Sequence, residues 1–167
     1  MAQRGLTLLE LLMGIVLLGI VAALAAPSLG AFIDSQRRQD TAQQLTSSLR
    51  MARAEAILRN QPVVVQANDG NWSKGWSVFV DNRRQQLPGD AEYLLAEFSG
   101  HRNVIVIGNS KVAERVGFDR AGRPLESANG TLAVCRDNAP TSHYQVVIAV
   151  TGRIILRDTG FSSEPCT

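Results

Sequence analysis

The chain has 167 residues, 45% of them hydrophobic and 19% charged, which excludes an intrinsically disordered polypeptide and leaves room for one ordinary domain. Two cysteines are too few for a disulfide-dense mini-protein, and a net charge of +2 excludes an overall polybasic nucleic-acid binder. All but two of the 17 basic residues are Arg, the exceptions being Lys74 and Lys111.

The apolar residues concentrate at the N-terminus. Residues 6–26 carry one charge, Glu10, and residues 11–33 carry none. About 20 apolar residues span a bilayer as a helix. The run therefore reads as a transmembrane segment over residues 6–28, or as a long secretory h-region ending at Ala25-Ala26-Pro27. Against cleavage at that end stand a short n-region with the single cation Arg4, a glycine (Gly5) at the entrance of the run, and an acid inside it. A carboxylate within a span is costly and marks a functional position, unless it merely reaches back to the interface.

Arg4-Gly5-Leu6-Thr7-Leu8-Leu9-Glu10 resembles the leader junction of type IV pilins and type II secretion pseudopilins. The resemblance implies a five-residue leader (1–5) and prepilin peptidase cleavage between Gly5 and Leu6. It also implies N-methylation of Leu6, which stands where the family usually has Phe. The new amine and Glu10 are opposite charges in a low-dielectric medium and attract strongly. An amine on one subunit meets Glu10 of a neighbour only at the correct axial offset, so Glu10 reads as a register device for assembly.

Pro27 removes a helical N–H and clashes with the preceding turn, so a kink or local melting is expected there. Beyond it, Leu45, Leu49, Ala52 and Ala56 recur on one helical face, and residues 29–60 read as an amphipathic continuation of the helix. The helix should stop near Asn60, because Pro62 disfavours helix at Gln61. Residues 6–59 as one helix would reach about 80 Å at ~1.5 Å per residue.

Residues 61–167 change period. Short β-branched or alternating runs occur at 62–67, 75–81, 94–98, 104–107, 115–119, 131–135, 144–150 and 153–157. Asn68-Asp69-Gly70-Asn71, Pro88-Gly89-Asp90, Ala121-Gly122-Arg123-Pro124, Asn129-Gly130 and Thr151-Gly152 punctuate them as turns. Strands at this spacing suggest an antiparallel sheet domain, and the pilin resemblance implies an α+β fold, a long N-terminal helix packed on that C-terminal antiparallel β-sheet domain. The polar connection over residues 82–92 has no assigned conformation. Residues beyond the span are translocated to an oxidising compartment, so Cys135 and Cys166 are expected to pair, closing a 32-residue loop; two buried free thiols are the alternative. Chain entropy puts such a bond at roughly 3–4 kcal/mol.

Ala52-Arg53-Ala54-Glu55-Ala56, the Trp72-Ser73-Lys74-Gly75-Trp76 segment with Val78-Phe79-Val80-Asp81, Phe118-Asp119-Arg120-Ala121-Gly122 and Gly152-Arg153 extend the resemblance to the GspH/FimT/FimU group of minor pilins. That resemblance implies a filament subunit rather than an enzyme. Its partners would be other pilins or pseudopilins through the N-terminal helix, the prepilin peptidase and the bacterial inner membrane, with the β-domain in the periplasm. No cofactor or metal is implied. His101 and His143 have no metal-ligand spacing and read as solvated or loop histidines, and no phosphate-binding loop or nucleophile elbow occurs. Trp72 and Trp76 are expected in packing, with base stacking as the alternative. Gly152-Arg153-Ile154-Ile155-Leu156-Arg157 resembles the Gly-Arg tail of DNA-uptake members, although Arg157 comes one residue late. Strand alternation places Arg153 and Arg157 on one face as candidate DNA contacts. Type IV pilus and type II secretion pseudopilus both remain open, as do position and stoichiometry in the filament.

Overall fold

The computed structural model describes residues 8–81, 93–125, 129–136, 142–158 and 166, with the side chains of residues 22–28, 142 and 143 outside the description. The leader (1–5), Leu6, the connection at 82–92 and its Pro88-Gly89-Asp90 turn therefore lie outside the described residues. The chain divides into two compact units, residues 1–35 and residues 36–167.

One α-helix, α1, runs from Leu8 to Arg59. It is assigned as helix without a break through Pro27. Its end follows from its sequence. Asn60 takes a left-handed conformation (φ 53°), which Asn tolerates better than most residues. The Gln61 N–H then donates to the Ala56 carbonyl and the Asn60 N–H to the Ile57 carbonyl, both at 3.3 Å. These two bonds form a Schellman motif that satisfies two of the orphan carbonyls at a helix C-terminus. Pro62 then starts the extended chain.

The described residues of the second unit form eight strands: β1 (Val63–Ala67), β2 (Gly75–Val80), β3 (Leu94–Ser99), β4 (Val104–Gly108), β5 (Arg115–Phe118), β6 (Gly130–Arg136), β7 (Ser142–Ile148) and β8 (Ile154–Arg157). They form two four-stranded sheets, ordered β3-β2-β1-β5 and β4-β6-β7-β8, and every pairing is antiparallel. The sequence periods define the strands but not this division. β4 leaves β3 and pairs with β6 instead, while β1 sits between β2 and the distant β5.

The helical stripe fills the core. Ala42, Leu45, Leu49, Ala52 and Ala56 are all 0% exposed and share one hydrophobic cluster with Val63, Val65 and Val78 of the first sheet and Leu132, Val134 and Val146 of the second. Side-chain hydrogen bonds fix the helix on its seat. Arg53 Nε donates to the Gly122 carbonyl at 2.9 Å, Arg50 Nη2 to the Ile154 carbonyl at 3.3 Å, and Trp76 Nε1 to Ser48 Oγ at 2.9 Å. Ser73 joins the two sheets: its Oγ accepts from the Val106 N–H at 2.9 Å. Cys135, fully buried in β6, is disulfide-bonded to Cys166 with the Cα atoms 5.9 Å apart. The expected pairing is therefore present.

Candidate functional site

The described residues of the first unit present an exposed apolar surface. Every large apolar side chain from Leu8 to Val21 is between 52% and 78% exposed, and Leu29 and Phe32 are each 59% exposed. Apolar residues surround this half of α1, whereas a helix on a soluble domain confines them to one stripe. A contiguous exposed apolar surface of this kind marks an interaction site. The single acid in it, Glu10, is exposed within the first turn. Among the described residues, no helix is long and apolar enough to cross a membrane. The expected span of residues 6–28 is described with side chains only over residues 8–21, and its remainder falls in residues 6–7 and 22–28.

The basic pair behaves as strand alternation requires. Ile154 is buried and Leu156 packs against the core, while Arg153 and Arg157 are exposed on the opposite face, flanking Ile155. Gly152, by contrast, has a structural role. It adopts φ +79°, and a Cβ there would overlap the Gly122 carbonyl oxygen and crowd Arg53 Nε. Gly122, with φ +72°, occupies the equivalent place in the turn after β5. Both turns close in the same way: Gly152 N–H donates to the Ala149 carbonyl and Gly122 N–H to the Asp119 carbonyl, each at 2.8 Å. Left-handed glycine ends a four-residue turn without steric cost. The two turns thus meet at Arg53.

Asp119 organises the Gly122 turn. Its Oδ1 accepts from the backbone N–H groups of Arg123 at 2.8 Å and Ala121 at 2.9 Å, and its Oδ2 from Arg123 Nε at 3.1 Å. The backbone N–H of Arg123, followed by that of Ala121 and by the Arg123 side chain, holds the carboxyl below its usual range despite some desolvation. Phe118-Asp119-Arg120-Ala121-Gly122 overlaps the turn expected at Ala121-Gly122-Arg123-Pro124. Its Asp-x-x-Gly spacing, an acceptor three residues before a left-handed glycine, carried the turn chemistry.

The remaining candidates resolve into packing. Trp72 and Trp76 are each 1% exposed, so their faces are closed to a stacking base. Trp72 Nε1 donates to the Val112 carbonyl at 3.0 Å, and Trp76 stacks on Phe98 with ring centroids 5.6 Å apart. His101 sits in the loop between β3 and β4, a loop histidine as expected. It is half-buried, and its Nδ1 lies 3.2 Å from Thr41 Oγ1. Since the Thr41 hydroxyl proton already goes to the Arg37 carbonyl at 2.8 Å, His101 Nδ1 carries the hydrogen of this bond. The His143 side chain lies outside the described residues. Among the described residues, no group of three or more His, Cys, Asp or Glu is placed to hold a metal ion. A polar open groove lies along Gln66, Asn68, Asp69, Ser77 and Glu97, where Lys74 pairs with Asp69 at 3.1 Å.

A long helix with an exposed apolar half, seated by its other half on an antiparallel β-domain, defines the pilin-like class of filament subunits. Comparisons with known proteins agree with it. The family profile described as "Type II transport protein GspH" matches residues 41–152, and that of the prokaryotic N-terminal methylation motif matches residues 1–26. Pilin-like protein PilA1 of Thermus thermophilus is 31% identical over 159 residues, covering 92% of this chain and 97% of the relative. Among solved structures, the type IV minor pilin FimU of Pseudomonas aeruginosa superposes with a TM-score of 0.60 at 26% identity, covering 76% of this chain and 95% of FimU. The minor pseudopilin EpsH of Vibrio cholerae, at 14% identity, shares the fold with a TM-score of 0.57 over 77% of this chain and 98% of its own. The chain belongs to the GspH family. It is accordingly a minor pilin or pseudopilin, a structural subunit.

Proposed function

We propose that this chain primes or caps an inner-membrane-anchored filament, either a type IV pilus or a type II secretion pseudopilus. The exposed apolar half of α1 carries the reading: that surface is stable only in a bilayer or against other helices. The prepilin peptidase cuts after Gly5, Leu6 becomes the methylated terminus, and residues 6–28 hold the subunit in the membrane until assembly. There the Leu6 amine of one subunit pairs with Glu10 of another and sets the axial offset. Pro27 lets the helix bend at the end of the apolar run. The match to the N-terminal methylation motif over residues 1–26 supports the processing step. A peptidase that accepts only a minimal side chain before the cut should reject Gly5→Val. That variant should accumulate in the inner membrane at the unprocessed mass. Recovery at the mature, methylated mass would contradict the leader assignment.

A second reading, a DNA receptor for transformation on the same fold, draws on the exposed pair Arg153 and Arg157. Two phosphate contacts give a shallow salt dependence. If this reading holds, the purified protein shifts DNA in gels, the shift weakens with salt, and it vanishes in Arg153→Ala with Arg157→Ala. Parental filament formation in that double mutant is expected under either reading, since exposed cations contribute little to stability.

A further inference from the structure

The exposed apolar side chains of the second unit gather at one end of it. Among its described residues the large ones are Ile57 (48% exposed), Leu58 (78%), Leu94 (42%) and Val150 (58%). Ile57 and Leu58 stand in the last turn of α1, shortly before the chain enters β1. Leu94 begins β3 opposite Phe79, and Val63 pairs with Val80 and Phe118, so Leu94 and the turn after β5 share that end of the first sheet. Val150 lies in the turn after β7, whose Gly152 abuts the Gly122 carbonyl, and a Cβ on Gly122 would meet Ile57 Cδ1 at 2.7 Å. Cations ring these side chains. Arg53 reaches the Gly122 carbonyl, and Arg50 that of Ile154 at the start of β8. Arg120, Arg123 and Arg153 are exposed in or beside the two turns. Asp119 holds Arg123, and among the described residues no carboxylate pairs with Arg120 or Arg153.

We infer that this end of the domain docks an acidic protein face, an aliphatic centre ringed by Asp and Glu, on a protein other than this chain. The proposal goes beyond the filament reading and stands apart from it. Charge complementarity selects carboxylates or phosphates as the counterpart of the arginines. The apolar centre decides between them. Ile57, Leu58, Leu94 and Val150 are aliphatic and offer a base no stacking surface, while both Trp rings are buried. A phosphate backbone would meet the arginines and leave the aliphatic groups in water, whereas an apolar centre within a charged rim is the anatomy of a protein interface. A bilayer takes up the apolar stripe of a helix lying flat, but these side chains come from a helix end, a strand start and a turn. A second copy meeting this face with its own equivalent face would set arginine against arginine. The surface is also fixed in advance: each turn is closed by its own backbone bond, and Arg53 ties the Gly122 turn to α1.

The test places a photo-crosslinking benzoyl-phenylalanine at Val150 of the full chain, in the cells that make it. Illumination is expected to give one protein adduct, whose crosslinked peptide, read by mass spectrometry, carries Asp or Glu beside aliphatic residues. Arg120→Glu in the same chain should lower the adduct at least about tenfold, because like charges facing each other across an interface oppose association. Arg102→Glu makes the same charge change at an exposed position beyond the other end of β3 and should leave the adduct at the parental level. Both variants should melt with the parent by circular dichroism, since each replaces an exposed side chain. The proposal is overturned by the absence of an adduct or by an adduct that Arg120→Glu leaves at full strength. It is equally overturned by an adduct with lipid, with DNA or with a second copy of this chain, or by a crosslinked peptide without carboxylates.

Discussion

Asp119 shows how one side chain builds a turn on which others depend. Its carboxylate collects two backbone N–H groups and the Arg123 guanidinium, and the Gly122 carbonyl so positioned receives Arg53 from α1. Because these bonds favour the ionised form, the folded-state pKa is lowered. The stability they give is complete above the unfolded-state pKa and is lost as pH falls through the lower folded-state value. Asp119→Asn should therefore melt below the parent at neutral pH. The difference should shrink as pH drops below the usual carboxylate range. A difference that stays constant from pH 7 to pH 3, followed by circular dichroism, would contradict this account. The histidine at 101 was less legible from sequence, because only the fold brings it to Thr41, 60 positions away.

At the level of elements, periodicity located each of the described strands and the buried helical face. Leu45, Leu49, Ala52 and Ala56 announce themselves by spacing and are the residues that reach 0% exposure. The helix end was legible because Asn60 and Pro62 act locally. Strand order was not. Nothing in Arg115–Phe118 distinguishes a partner for β1 from a partner for β4, and the choice is made by non-local burial in the assembled core. The disulfide sits between these cases. Compartment and count suggested the pair, and β6 places Cys135 fully buried at one end of the bond. Reduction should release the C-terminal segment from β6 and lower stability by about 3–4 kcal/mol. Cys135→Ser should reproduce the loss, and reductant should then have no further effect. Equal melting of the parent with and without reductant would refute a stabilising role.

Across the whole molecule, the two units call for different partners. Among the described residues, most large apolar side chains of the second unit are buried within the chain, whereas those over residues 8–21 and at Leu29, Phe32 and Ile33 are exposed. The sequence made that contrast visible as a shift from an uninterrupted apolar run to an amphipathic period. The lone Glu10 within the run carries the proposed assembly chemistry. The most direct measurement is a shear assay of filaments from cells producing the parent or Glu10→Ala, beside the amount of each chain in the inner membrane. The account predicts equal membrane levels for both, the parent in the sheared fraction, and Glu10→Ala missing from it because the Leu6 amine has no acid to set its register. Glu10→Ala filaments recovered at the parental level would contradict it.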